Sequence, residues 1–178
     1  MWPGADEVLH FSEDPTIERF EPHVAATAQQ PEAYVWAVTG DRVPTYWFPR
    51  QCPRGTAWAT ERTTPDDRVR VFGEASTGRV HAIEYGWLEA MRTTTLYAYR
   101  FAADAFCPFD PDDRFAYVAT EAVVPLGPAE PVGDLLALHE EAGIELRVLP
   151  NLWPFWDQVT ASTLAFSGIR LANGRPRP

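Results

Sequence analysis

Thr95-Leu96-Tyr97-Ala98-Tyr99-Arg100-Phe101 is the stretch on which the fold class turns. Leu96, Ala98 and Arg100 fall on one face of an extended chain, and Tyr97, Tyr99 and Phe101 on the other. That period of two marks a half-buried β-strand. On its C-terminal side, residues 104–114 mix Pro108 and Pro111 with Asp110, Asp112 and Asp113 and read as a surface loop. Phe115–Ala119 and Val123–Leu126 read as strand segments on either side of Thr120-Glu121. Pro131 stands where a helix would open, carrying Val132, Leu135, Leu136 and Leu138 to a stop at Gly143. Ile144–Leu149 alternates as a strand, Asn151-Leu152-Trp153-Pro154 caps a helix running to Leu164, and Phe166–Leu171 is a further strand.

On the N-terminal side, Tyr85, Leu88 and Met91 have helical spacing within 84–92. Residues 60–78 are charged and rich in Gly, Thr and Asp, and read as a loop with at most a brief strand at 69–72. Thr56–Ala59 reads as a short strand. Tyr46-Trp47-Phe48 cannot all face one side, which suggests burial between two layers. Asp41 would cap a short helix confined by Pro44. Ala33–Val38 is a strand, 23–31 a loop, and Val8–Phe11 a strand followed by a polar turn that sends Ile17 and Phe20 inward. Only the 144–149 strand shows a β-helix-β rhythm. The expectation is an α+β fold, a single domain over 1–178 with a mixed, mainly antiparallel sheet, a few short helices, and flexible tails at 1–7 and 173–178.

Composition removes several function classes. None of the 15 basic residues is a lysine, which excludes a Schiff-base nucleophile, lysine-anchored pyridoxal phosphate and the lysine of a P-loop. A net charge of −10 argues against a broad grip on nucleic acid, although Arg50, Arg54, Arg62, Arg68 and Arg70 cluster. Their simplest reading is a solvated loop paired with Asp66 and Asp67. No apolar run reaches the about 18 residues of a membrane span, and the first residues lack a signal-peptide pattern, so a cytoplasmic location is expected. Cys52 and Cys107 lie beside prolines and read as buried or half-buried thiols. His10, His23, His81 and His139 are not spaced as metal ligands, and His139 is assigned to a solvated helix face. Neither a Gly-x-Ser-x-Gly elbow nor a Gly-x-Gly-x-x-Gly turn occurs.

The chemistry that survives is a histidine on the first strand, His10, beside the hydroxyl of Ser12, the aromatics of 34–48, and acids at strand ends. Glu121 lies between two apolar segments. Glu84 follows His81 by three, which would share a face at a helical start.

Across nearly its whole length the chain resembles a bacterial family of uncharacterised proteins. Leu9-His10-Phe11-Ser12-Glu13-Asp14-Pro15, Tyr46-Trp47-Phe48-Pro49-Arg50, Pro150–Pro154 and Phe166–Leu171 carry that likeness. It implies no activity. A second resemblance is to the ADP-ribosyltransferase-like fold, through Val8–Ser12, Tyr34–Val38 with 41–48, and a later acid. That resemblance implies His10 on a ribose hydroxyl of NAD, with Ser12 beside it, and Tyr34, Trp36 or Tyr46 stacked on nicotinamide. Glu121, with Glu84 in reserve, would stabilise the oxocarbenium-like transition state. NAD would be a substrate, and no cofactor is required. The other reading is a non-enzymatic small-molecule-binding or structural domain with an aromatic core, in which His10 pins the first strand.

Overall fold

Residues 97–101 of the 95–101 stretch belong to a strand, and the chain has the α+β, mainly antiparallel organisation expected. The computed structural model describes residues 1–24, 31–74, 77–110 and 113–178, so part of the expected 23–31 loop lies outside the described residues. In chain order the elements are β1 (Glu7–Ser12), β2 (Val35–Val38), β3 (Arg54–Trp58), α1 (Pro65–Phe72) and β4 (Arg79–Glu84). Then come α2 (Leu88–Thr93), β5 (Tyr97–Ala102), β6 (Cys107–Asp110), β7 (Asp113–Ala119) and β8 (Glu130–Pro131). α3 (Leu135–Glu141), β9 (Glu145–Leu149), α4 (Trp153–Thr160) and β10 (Ala165–Ile169) complete them. The chain divides into two compact units, Met1–Arg50 with Thr94–Gly133 and Gln51–Thr93 with Asp134–Pro178.

The first unit holds a six-stranded antiparallel sheet in the order β6-β7-β2-β1-β5-β8. β1 lies against β5 with His10 opposite Tyr99 and Phe11 opposite Ala98. Strand alternation therefore sends Val8, His10, Ser12, Tyr97, Tyr99 and Phe101 to one face. There Val8, Phe20, Val35, Ala37, Tyr99, Phe101, Phe106, Ala119 and Val123 form a buried core. On the opposite face Arg100 sits between Glu7 at 2.7 Å and Glu130 at 2.8 Å. Near the start of the chain, Trp2 meets Trp47 edge-on at 5.5 Å.

The second unit holds a four-stranded sheet, β10-β3-β4-β9, antiparallel except for the parallel β4–β9 pair. One face packs Ala57, Val80 and Ala82 against Val71 and Phe72 of α1 and Phe155 and Val159 of α4. The register places Arg54, Thr56 and Trp58 opposite Ile83, His81 and Arg79 on the other face. Gly168 in β10 admits a close approach: a Cβ there would lie 2.6 Å from the Trp156 ring and 2.7 Å from Leu171. Gly168→Ala should therefore cost about 1–3 kcal/mol by overpacking. Urea unfolding checks this, and an unchanged midpoint would contradict it.

Four expectations need correction. Residues 60–78 contain helix α1, because Thr64 accepts a hydrogen bond from the Asp67 amide, Pro65 opens the first turn, and Asp66 and Asp67 face the positive end of the helix dipole. The expected 104–114 loop contains strand β6 and the start of its antiparallel neighbour β7. Pro108 is tolerated because β6 is an edge strand. Pro131 belongs to β8, opposite Tyr97, and helix α3 begins only at Leu135. There the Asp134 carboxyl accepts from the amides of Leu136 and Ala137, a stronger start signal than a proline. The 123–126 segment makes an isolated bridge from Val123 to Phe20.

Candidate functional site

His10 projects from the middle of β1 into the core face of the first unit, where its ring meets Phe20 at 4.8 Å. Its Nδ1 lies 2.7 Å from the backbone carbonyl oxygen of Trp36. A carbonyl can only accept, so Nδ1 carries the proton and Nε2 keeps its lone pair. Burial, with smaller contributions from the positive charges of Arg50 and His23, pulls the His10 pKa down to about 4. At neutral pH it is an uncharged imidazole with a fixed tautomer. The residue is half-buried, and Nε2 has no partner among the described residues. Ser12, on the same face, accepts a hydrogen bond from the Asp14 amide at 3.2 Å, which shapes the turn after β1.

The aromatic candidates go elsewhere. Leu9 pairs with Val38, so Trp36 shares the face of Leu9 and Phe11, opposite His10. There Trp36 packs on Phe109 at 4.6 Å and on Tyr34 at 5.8 Å. Tyr46, from the 3-10 turn Gly40–Tyr46, stacks over Phe11 at 6.2 Å, also away from His10. Trp47 and Phe48 are buried as expected. Glu121 is exposed just beyond β7, with no hydrogen-bond partner among the described residues. It precedes by two the Val123 that bridges to Phe20, the residue packed on His10.

Glu84 belongs to the second unit and is 4% exposed. Its carboxyl accepts from the amides of Leu152 at 3.0 Å and Arg175 at 3.0 Å. The expectation of a face shared with His81 fails because β4 is a strand, in which a spacing of three points side chains to opposite faces. Cys52 is buried, and burial pushes its thiol up to about 12, an inert state, whereas Cys107 is exposed, contrary to the expected shelter. Of the arginine cluster, Arg54 is buried and donates to the Cys52 carbonyl oxygen, and Arg70 pairs with Asp67.

The polar cluster that sequence reasoning missed is on the other face of β4. The Arg79 Nε–H donates to His81 Nε2 at 3.2 Å, and His81 Nδ1 is 3.0 Å from His139 Nε2. His139 Nδ1 lies 2.7 Å from the Leu135 carbonyl oxygen. Arginine only donates and a carbonyl only accepts, so the chain of four has one direction: Arg79 to His81 to His139 to Leu135. Both imidazoles are neutral, their pKa values lowered chiefly by burial. The assignment of His139 to a solvated face is thus wrong: it is 2% exposed. The shift in the start of α3 is the cause, since Leu135 and His139, four apart, form the buried side of the helix. That spacing, with the inward alternation of Arg79 and His81, was the available signal. Among the described residues no three His, Cys, Asp or Glu side chains converge as a metal site, and no helix is long and apolar enough to cross a membrane.

A family model described as a family of unknown function, DUF6886, matches residues 9–174. The chain belongs to this family. Membership in DUF6886 agrees with the resemblance to uncharacterised proteins drawn from the Leu9–Pro15 and Phe166–Leu171 segments, which lie inside the matched range. No curated protein and no solved structure matches the chain. The match spans both His10 and the His81–His139 pair.

Proposed function

We propose that this DUF6886 chain is a small-molecule-binding domain. In it the His10 Nε2 acts as a neutral hydrogen-bond acceptor for a sugar hydroxyl, with a nucleotide ribose as the leading candidate. The observation that carries this reading is the bond from Nδ1 to the Trp36 carbonyl. It fixes the tautomer and ring orientation before any ligand arrives, so binding loses little freedom at that contact. Arg50, close enough to disfavour protonation of His10, favours a ligand that carries negative charge such as a pyrophosphate.

A second reading, ADP-ribosyl or related glycosyl transfer with NAD as substrate, is favoured by one feature. Glu121 offers an exposed, unbonded carboxylate beyond β7, which pairs with β2, and β2 in turn pairs with the strand that holds His10. In that role it would stabilise positive charge on the ribose as nicotinamide departs. Tyr34, Trp36 and Tyr46, which face away from His10, supply no stack beside it, and for this reason binding is ranked above turnover.

Thermal melts with NAD and with ADP-ribose, paired with an assay for released nicotinamide, separate the readings. A ligand at about 100 times its Kd should stabilise the protein by about 2.7 kcal/mol, and His10→Phe should abolish the shift. Nicotinamide release that disappears in Glu121→Gln would favour the transferase. No shift with either ligand at millimolar concentration would overturn the nucleotide-ribose assignment.

A further inference from the structure

The segment Gly174-Arg175-Pro176-Arg177 lies in an extended run across the start of α4, and its contacts are those of a bound peptide. The Arg175 amide donates to both oxygens of the buried Glu84 carboxyl, at 3.2 and 3.0 Å. The Arg175 carbonyl accepts from Trp153 Nε1 at 2.7 Å, and the Pro176 carbonyl accepts from Asn151 Nδ2 at 2.9 Å. These three interactions read only main-chain atoms. Side-chain identity is read at Arg177, which pairs with Asp157 at 2.8 Å and lies 4.4 Å over the Trp153 ring. Gly174 suits the approach: an added Cβ would sit 3.2 Å from the Leu171 carbonyl oxygen and 3.5 Å from Glu84 Oε1.

We infer that Glu84, Asn151, Trp153 and Asp157 form a recognition site for an extended arginine–proline peptide, filled here in cis by residues 174–177. Glu84 is the decisive group. It sits on β4 at 4% exposure, held on one side by the Leu152 amide, and its second oxygen is bonded by the Arg175 amide. Departure of the segment would leave a buried acceptor without that partner, which favours re-occupation by another peptide amide. The cation over Trp153 and the acid beside it select arginine at the position two residues further on. The ion pair, both of whose side chains are more than half exposed, acts together with the ring contact on the same guanidinium. This site lies in the second unit and stands independently of the His10 reading.

The test uses the full chain and a fluorophore-labelled peptide of sequence Gly-Arg-Pro-Arg-Pro. In the wild-type protein the tethered segment competes at an effective concentration on the order of millimolar. Arg177→Ala weakens the resident segment and leaves the cradle intact, so the peptide should bind that variant at least tenfold more tightly than wild type, with a change in tryptophan emission. Adding Asp157→Asn, or replacing the second arginine of the peptide by alanine, should reverse the gain. Amide exchange at Arg175 should also quicken in Arg177→Ala. Absence of binding to Arg177→Ala at millimolar peptide, or equal binding to both proteins that ignores Asp157, would overturn the proposal.

Discussion

Replacing His139 with alanine should lower the free energy of unfolding by roughly 3–5 kcal/mol, from the lost buried volume together with the broken hydrogen bonds. His139 is 2% exposed, and its two ring nitrogens connect His81 to the Leu135 carbonyl. The variant removes the acceptor of the His81 Nδ1–H, a donor on a 0% exposed side chain. His81→Ala should cost a similar amount, because it breaks the bonds to the His139 Nε2 and from the Arg79 Nε–H together. The two losses should not add. Each variant already breaks the shared bond, so the double substitution should fall short of the sum by about 0.5–3 kcal/mol. Urea unfolding of the four proteins of this cycle is the check, and strict additivity would contradict the relay.

The second large effect is in pH. A histidine whose pKa is lower in the folded protein than in the unfolded chain binds its proton more readily when unfolded. Its stabilising contribution is complete above the unfolded value and is lost as pH falls toward the folded one. For His10 that window runs from 6.5 down to about 4. A separation of that size corresponds to roughly 3 kcal/mol lost by pH 4. His81 and His139 act in the same direction. Burial is the main cause for both, and Arg79 adds repulsion to each, with Arg54 also acting on His81. Thermal stability should therefore begin to fall below about pH 6.5. Glu7 and Asp14, held low by hydrogen bonds from Gly4 and Thr16, lose their contribution only below the ordinary carboxyl values of 4.5 and 3.8. A midpoint that stays flat from pH 7 to pH 5 would contradict the neutral state of all three histidines.

Much of the fold was legible because strand alternation is a local signal. Tyr97, Tyr99 and Phe101 fall on one face as their spacing demands, and Ala33–Val38 and Ile144–Leu149 contain β2 and β9. Helix starts were harder. Thr64-Pro65-Asp66-Asp67 carries a complete N-terminal signature, but the polar composition around it hid the short apolar face of Val71 and Phe72. Pro131 resembled a helix opener, whereas the side chain three residues later, Asp134, does the capping.

The candidate site was legible only in part, for a related reason. His10 and Ser12 share a face because they are two apart in a strand, which the sequence implies directly. That Tyr34, Trp36 and Tyr46 lie across the sheet from them depends on the register of β1 with β2 and on the stacking of Tyr46 over Phe11. Those are long-range facts, invisible to spacing along the chain. The His81–His139 contact joins residues 58 apart, and no local pattern announces it. The buried carboxyl of Glu84 likewise finds one of its amides 91 residues away, at Arg175.

The most direct test of the His10 assignment is nitrogen-15 NMR of histidine-labelled protein at pH 7, followed by titration with ADP-ribose. The predicted spectrum has His10, His81 and His139 neutral with the proton on Nδ1, and on titration the His10 Nε2 resonance moves while those of His81 and His139 stay fixed. A His10 imidazole protonated on Nε2, or an Nε2 resonance unmoved by saturating ADP-ribose, would contradict the account.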